Sequence, residues 1–286
     1  ILGSMQDGKM QLEEIYRFEN GVKKINDEFC WDIQNLFEQI KIGIKKCKEI
    51  GKIPTSIAID TWAVDFVLLD ENDQILGNTV SYRDDRTEGY MEKAFEIVPK
   101  DTLYAHTGIQ FQRFNSLYQL LAIKDKNKEY LKKAKTFLMI PDYLNFLLTG
   151  KKCVEYTNAT TTQLINAKTK TWDDELINAF DLPKEIFGEI KMPKTSLGNL
   201  REELVKEFGF DMEVILPATH DTGSAFMASP VEEDSIFVSS GTWSLLGIEN
   251  QEPQCDIDAL KYNFTNEGGY DYRFRFLKNI MGLWVI

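Results

Sequence analysis

Asp221 stands where chemistry can begin. The apolar residues Val214, Ile215 and Leu216 run into Pro217, Ala218, Thr219, His220, Asp221, Thr222, Gly223 and Ser224. Small residues at this point let a substrate approach the backbone, and the pattern puts Asp221 where a strand hands over to a helix. A carboxylate in that place can take the proton of a substrate hydroxyl. A second run follows: Ser239, Ser240, Gly241, Thr242, Trp243 and Ser244. Hydroxyls and a glycine in a tight turn suit phosphate oxygens. A base and a phosphate cradle together point to phosphoryl transfer onto a hydroxyl.

Each of these residues also has a structural reading. Asp221 could cap the helix that follows it. His220 fits either a satisfied buried polar group or a donor to a substrate. Thr242 and the serines around it suit a hairpin turn equally well. His106 has no motif around it and reads as structural. Residues 157–162 show no period, as in a solvated loop or the lining of a cleft. Trp62 and Phe66 either pack a core or offer an aromatic face to the apolar side of a ligand. The glycosylation patterns Asn158-Ala159-Thr160 and Asn263-Phe264-Thr265 read as chance matches, because the first residues lack the pattern of a secretory signal. Asp221-Thr222-Gly223 matches the Asp-Thr-Gly of aspartic proteases, but that chemistry needs a second such Asp and the sequence has none.

These residues need elements to hold them. Ile33, Leu36, Phe37, Ile40, Ile44 and Cys47 fall at helical spacing and predict a helix over 33–50. Lys45, Lys46 and Lys48 favour its carboxyl end, and Gly51 stops it. Strands are expected over 9–18, 56–60, 66–70 and 136–140, with another starting at 75–77. Helices are expected over 86–97, 115–125, 172–180, 197–208 and 221–228. Pro141 opens one more, which Gly150 closes. Residues 236–248 read as strand, turn, strand. Strands interleaved with helices make the class α/β. The polar stretch 230–234 marks the expected boundary between a first unit, 1–232, and a second, 233–286.

The 286 residues suffice for one large domain or two ordinary ones. A net charge of -12 argues against nucleic acid or an anionic membrane as the main partner, while leaving room for a local nucleotide pocket. No apolar run approaches the ~20 residues of a membrane helix. Cys30, Cys47, Cys153 and Cys255 are scattered, neither a zinc pattern nor a disulfide framework, and read as the reduced thiols of a cytoplasmic protein. Two histidines rule out a His-rich metal site.

Nine short runs, taken in order, resemble the FGGY carbohydrate kinases across nearly the whole chain. They are Ile59-Asp60-Thr61-Trp62-Ala63-Val64-Asp65-Phe66, Tyr82-Arg83-Asp84, Gly108-Ile109-Gln110-Phe111, Met139-Ile140-Pro141-Asp142-Tyr143 and the stretch 155–164. The others are His220-Asp221-Thr222, the stretch 239–244, Thr265-Asn266-Glu267-Gly268-Gly269 and the stretch 277–284. The resemblance implies the two-lobed fold of actin, hexokinase and heat-shock-70 (ribonuclease H-like), with its second lobe truncated and the active site between the lobes. It implies transfer of the γ-phosphoryl of ATP, with Mg²⁺, to the 1-hydroxyl of a small-molecule ketose, L-rhamnulose. Fuculose, xylulose and a non-catalytic sugar-binding role are the alternatives.

Residue by residue, the resemblance makes Asp221 the general base and puts His220 and Thr222 on the substrate. Ala63 falls where the family usually has Gly in its sugar loop, and Asn279 matches a sugar contact from the second lobe. Thr242 matches a contact to the ATP phosphates. The family's opening strand and phosphate loop, which carries a metal-holding Asp, would precede Ile1; its adenine-closing stretches would follow Ile286. The metal ligands therefore stay unassigned. Lys278 and Arg275 are candidates to neutralise phosphate charge, and monomer and homodimer both stay open.

Overall fold

The apolar spacing near the start of the chain produces the helix Ile33–Glu49. Asp32 caps it by accepting the Asn35 N–H at 3.0 Å, while Ile33, Leu36, Ile44 and Cys47 are buried. Lys46 and Lys48 occupy its last turn, where cations face free carbonyls. The computed structural model describes residues 1–229, 235–241 and 243–283.

Behind this helix lies the main core. The strand Phe66–Leu69 is buried on both faces and pairs antiparallel with Thr136–Met139. The rings of Phe66 and Phe137 lie 4.7 Å apart. Pro141 stands in the first turn of the helix Ile140–Thr149, and Gly150 ends it at φ +78. The helix Ser116–Lys126 packs almost wholly inside.

Several expectations are corrected. The helix expected over 86–97 is a 3₁₀ turn, Asp85–Thr87, and a separate helix, Tyr90–Ile97. Gly89 divides them by adopting φ +76. The helix over 197–208 is shorter, Glu202–Phe208, and Ser196–Asn199 pairs instead with Glu213–Ile215. Ile75 makes only a single bridge to Leu69. The strand over 9–18 stops at Glu13, in a hairpin with Leu2–Gln6. Two helices, Lys100–Thr107 and Lys128–Lys133, have no counterpart among the expected elements.

The pairing that matters for function is parallel. Ser56–Ile57 runs beside Glu213–Ile215. The ladder resumes farther on: Thr61 N–H donates to the Thr219 carbonyl, and Asp221 N–H to the Thr61 carbonyl, both at 2.9 Å. Two distant segments thereby reach the same edge side by side.

The residues expected to form a second unit make an antiparallel sheet ordered Phe237–Ser240, Trp243–Asn250, Phe274–Met281, Thr265–Gly268. The boundary expected at 230–234 lies outside the described residues. Leu277 is fully buried against Phe226 and Leu245, where the sheet meets the helix Asp221–Ala228. Burying one such side chain stabilises the contact by about 1.5–3 kcal/mol. Among the described residues no helix is long and apolar enough to cross a membrane. All four cysteines are free.

Candidate active site

The parallel ladder fixes Asp221. It holds His220 at the N-cap and Asp221 as the first residue of the helix Asp221–Ala228. Asp221 Oδ1 accepts from Thr222 N–H at 2.5 Å and from Thr222 Oγ1 at 3.2 Å. Oδ2 has no hydrogen-bond partner among the described residues, and the side chain is 60% exposed. Loss of water around it pushes this carboxyl up from its usual value, with the Thr222 bonds and the Arg275 charge opposing. Asp60, on the adjoining segment, is also pushed up, by burial first and the Asp221 charge second.

Asp221 opens onto a cleft of about 610 Å³ between the two units. Trp31, Trp62, Ala63, Tyr82, Gln110 and Phe114 line it from the first unit; Ser239, Trp243, Glu267 and Asn279 line it from the second. The structure thus brings Ala63, His220, Asp221, Thr222 and Asn279 to one cleft. Thr242 lies outside the described residues, though its neighbours Ser240, Gly241 and Trp243 line the same cleft.

The loop at Ala63 and Val64 is strained. Asp65 N–H donates to the Ala63 carbonyl at 2.9 Å, which closes a γ-turn with Val64 at φ +64. That conformation is unfavourable for a β-branched residue and persists only when its surroundings impose it. Here they do. The Val64 carbonyl accepts from Ser116 Oγ at 2.6 Å and Gln119 Nε2 at 3.3 Å, and its N–H donates to Thr161 Oγ1 at 3.3 Å. Ala63 itself is not among the positive-φ residues, so its methyl group sits on ordinary backbone.

Asp65 organises the aromatic wall. Its buried carboxylate accepts the indole N–H groups of Trp31 and Trp62 at 2.6 and 2.9 Å, the Tyr82 N–H at 3.1 Å and Gln119 Nε2 at 3.1 Å. The two indoles lie 4.3 Å apart. Trp62 therefore faces the cleft, whereas Phe66 belongs to the core.

The run 157–162 is neither a solvated loop nor, for the most part, cleft lining. It forms two short helical turns, Tyr156–Ala159 and Thr160–Thr162, and all six residues are buried. Glu155 anchors them by accepting from Thr157 N–H and Oγ1, Asn158 N–H, and Thr219 N–H and Oγ1, at 2.5–3.2 Å. Only Thr161 of the run reaches the cleft. His106 is structural: its Nδ1 lies 2.8 Å from Asp173 Oδ2.

Asn279 is held by Gln110, whose Oε1 accepts Asn279 N–H and Nδ2 at 3.0 and 3.1 Å. Glu267 Oε1 accepts Asn279 Nδ2 at 3.3 Å. The positioning roles of Gln110, Glu267 and Asp65 escape sequence reasoning, although the runs that contain them stand out. Arg275 and Lys278 do not serve as expected. Arg275 is fully buried behind His220. Lys278 lies on the opposite face of the sheet, beside Phe276 and Ile280, and donates to the Tyr262 carbonyl at 2.7 Å. No group of three acidic, His or Cys side chains suited to a metal occurs among the described residues.

The architecture is that of the two-lobed α/β sugar kinases of the actin and hexokinase type. A ligand-bound xylulose kinase from Lactobacillus acidophilus superposes on 90% of this chain and 53% of its own, with TM-score 0.81 and 23% identity. An ADP-bound glycerol kinase from Plasmodium falciparum superposes on 92% of this chain and 55% of its own, with TM-score 0.79 and 17% identity.

The chain belongs to the FGGY family of carbohydrate kinases, whose N-terminal domain matches residues 6–228. Similar curated proteins are named rhamnulokinase. One from Oceanobacillus iheyensis is 59% identical over all of this chain and 61% of its own length. Another, from Halalkalibacterium halodurans, is 62% identical over 97% of this chain and 60% of its own. The chain thus spans about 60% of the length of these relatives.

Proposed function

We propose that this chain carries the sugar site of a cytoplasmic kinase that phosphorylates the 1-hydroxyl of L-rhamnulose from ATP and Mg²⁺, giving L-rhamnulose 1-phosphate. One observation carries the reading: Asp221 presents an oxygen without a protein partner to a cleft walled by Trp31 and Trp62 on one side and Asn279 on the other. The rhamnulokinase name of its relatives supports the choice of ketose.

A sugar hydroxyl is a weak nucleophile. Asp221 accepts its proton as the oxygen bonds to the γ-phosphorus and the bond to the ADP oxygen breaks, its electron pair leaving with ADP. A carboxyl pushed up by partial burial is a stronger base than a free one. Thr222 fixes one carboxylate oxygen so that the other faces the substrate. The indole faces suit the methyl and C–H edge of a deoxysugar. Docked lobes exclude water, which would otherwise accept the phosphoryl group.

The test is ADP release with L-rhamnulose, ATP and Mg²⁺, run on this chain and on a protein of its relatives' length that contains it. Turnover with L-rhamnulose supports the reading. Turnover confined to fuculose or xylulose keeps the kinase and changes the ketose. If neither protein turns over any ketose but both bind one, the chain is a sugar-binding unit and the kinase assignment fails.

A further inference from the structure

His220 sits between the two units, and its two ring nitrogens face different chemistry. Nε2 lies 3.6 Å from Asp221 Oδ1, on the cleft side. Nδ1 lies 3.2 Å from Arg275 Nη2 and 3.4 Å from Glu267 Oε2. A guanidinium group donates and never accepts. A ring nitrogen that meets it must offer a lone pair. A carboxylate is the reverse: it would take a proton from Nδ1. The two neighbours therefore demand opposite tautomers, and the geometry has to decide between them.

Several features favour the guanidinium. Arg275 is 0% exposed, on the strand Phe274–Met281. Its Nε and Nη2 donate to the Gly268 carbonyl at 3.2 and 3.0 Å, which fixes the plane of the group within its own sheet. Its Nη1 lies 3.3 Å from Glu267 Oε2, so that oxygen already faces a permanent positive charge. Glu267 Oε1 is taken by Asn279. On the other side the guanidinium packs close to Gly223, where a Cβ would stand 3.5 Å from Arg275 Cζ. Burial and the Arg275 charge both disfavour the imidazolium form of His220.

We propose that Arg275 is a positioning residue that reaches from the second unit to hold His220 as the neutral Nε2–H tautomer. The imidazole then presents a donor to the cleft, beside the base. That N–H can support the Asp221 carboxylate or meet a sugar oxygen, and this last step rests on the function proposed above. The chemistry of His220 is thus set by the other lobe: the tautomer is imposed only while the sheet that carries Arg275 is docked.

Nitrogen-15 NMR of the imidazoles tests this directly, with neither sugar nor ATP present. The chain has only two histidines. His106 serves as internal reference because its Nδ1 must donate to Asp173. The expected spectrum shows opposite patterns: a proton on Nδ1 of His106, and on His220 a bare Nδ1 with a protonated Nε2. A proton on Nδ1 of His220 overturns the proposal. In Arg275→Met, Glu267 becomes the remaining neighbour of Nδ1, and that nitrogen is expected to gain a proton; Arg275→Lys restores the bare nitrogen. An unchanged Nδ1 in Arg275→Met overturns the role of Arg275. Should that variant fail to fold, Glu267→Gln carries the same test: Nδ1 stays bare while Arg275 remains, and a proton there overturns the proposal. In the kinase assay Arg275→Met is expected to raise KM for the ketose about tenfold or more and to change kcat less. Failure of the ketose assay leaves the tautomer result standing, and the reverse holds as well.

Discussion

The side-chain amide of Gln110 pairs with the backbone of Asn279 as a neighbouring strand would. Its oxygen accepts the Asn279 N–H at 3.0 Å, and its nitrogen donates to the Asn279 carbonyl at 3.3 Å. Gln110 belongs to the first unit and is buried; Asn279 lies near the end of the second unit's central strand. Asn263 repeats the device on Phe111, accepting its N–H at 3.0 Å and donating to its carbonyl at 3.4 Å. The docking of the lobes is thus written partly in amide side chains. Gln110→Ala removes the pairing and leaves the Asn279 N–H unpartnered. It is expected to destabilise by about 1–3 kcal/mol and to weaken ketose binding, with kcat for bound sugar falling less. Calorimetry with the ketose checks it; unchanged affinity refutes the coupling.

On the proposed function, Asp221→Asn removes the proton acceptor and keeps the shape. Turnover is expected to fall by about 10²–10⁴, the usual worth of a general base, while the ketose still binds. Parallel loss of binding and turnover would assign Asp221 a structural role.

Among the described residues four carboxyls are buried and pushed up: Asp65, Asp142, Glu155 and Glu267. Burial is the leading cause in each. The sign follows by linkage. These groups bind a proton more tightly folded than unfolded, so their contribution falls as pH rises from about 4 towards their folded values and stays low above them. The thermal midpoint is expected to be higher near pH 6 than at pH 8. Asp142 is raised well above its usual value by burial and the nearby Glu155 charge, and its Oδ2 has no hydrogen-bond partner among the described residues. Asp142→Asn is expected to be tolerated at neutral pH and to flatten that slope, as melting curves at both pH values show. A steeper slope in the variant counts against a protonated Asp142.

Gly268 lies where the two units touch. A Cβ there would stand 2.6 Å from the Tyr156 ring and 2.7 Å from Thr160 Cγ2. Gly268→Ala is expected to destabilise by about 1–3 kcal/mol through overpacking, whereas Gly21→Ala, in open space, is expected to change little. Denaturant midpoints for the pair decide it; equal midpoints mean the contact yields without strain.

Local signals made much of this legible. The helix Ile33–Glu49 shows in its spacing, and Ile140–Thr149 in its Pro and Gly. Asp221 shows because an apolar strand and a small-residue helix meet there. Gly89 splits a helix at a residue the periodicity passes over. What the sequence hides is long-range. Gln110 meets Asn279 across 169 positions, and Glu155 reaches Thr219 across 64. Arg275 reads as a surface cation for phosphate, because nothing near it in sequence reveals that its partner is His220. Asp65 and the indole of Trp31 are 34 residues apart, so the aromatic wall is half visible at best.

The γ-turn at Val64 is shaped from behind. Ser116 and Gln119, on a buried helix, and Thr161, on a buried turn, hold it by its backbone. A change in any of the three is expected to re-aim this loop at the edge of the cleft and leave Asp221, His220 and Asn279 in place. On the proposed function, substrate preference is then open to change from interior positions: descendants of this chain could drift from one ketose to another without a replacement in the wall of the cleft.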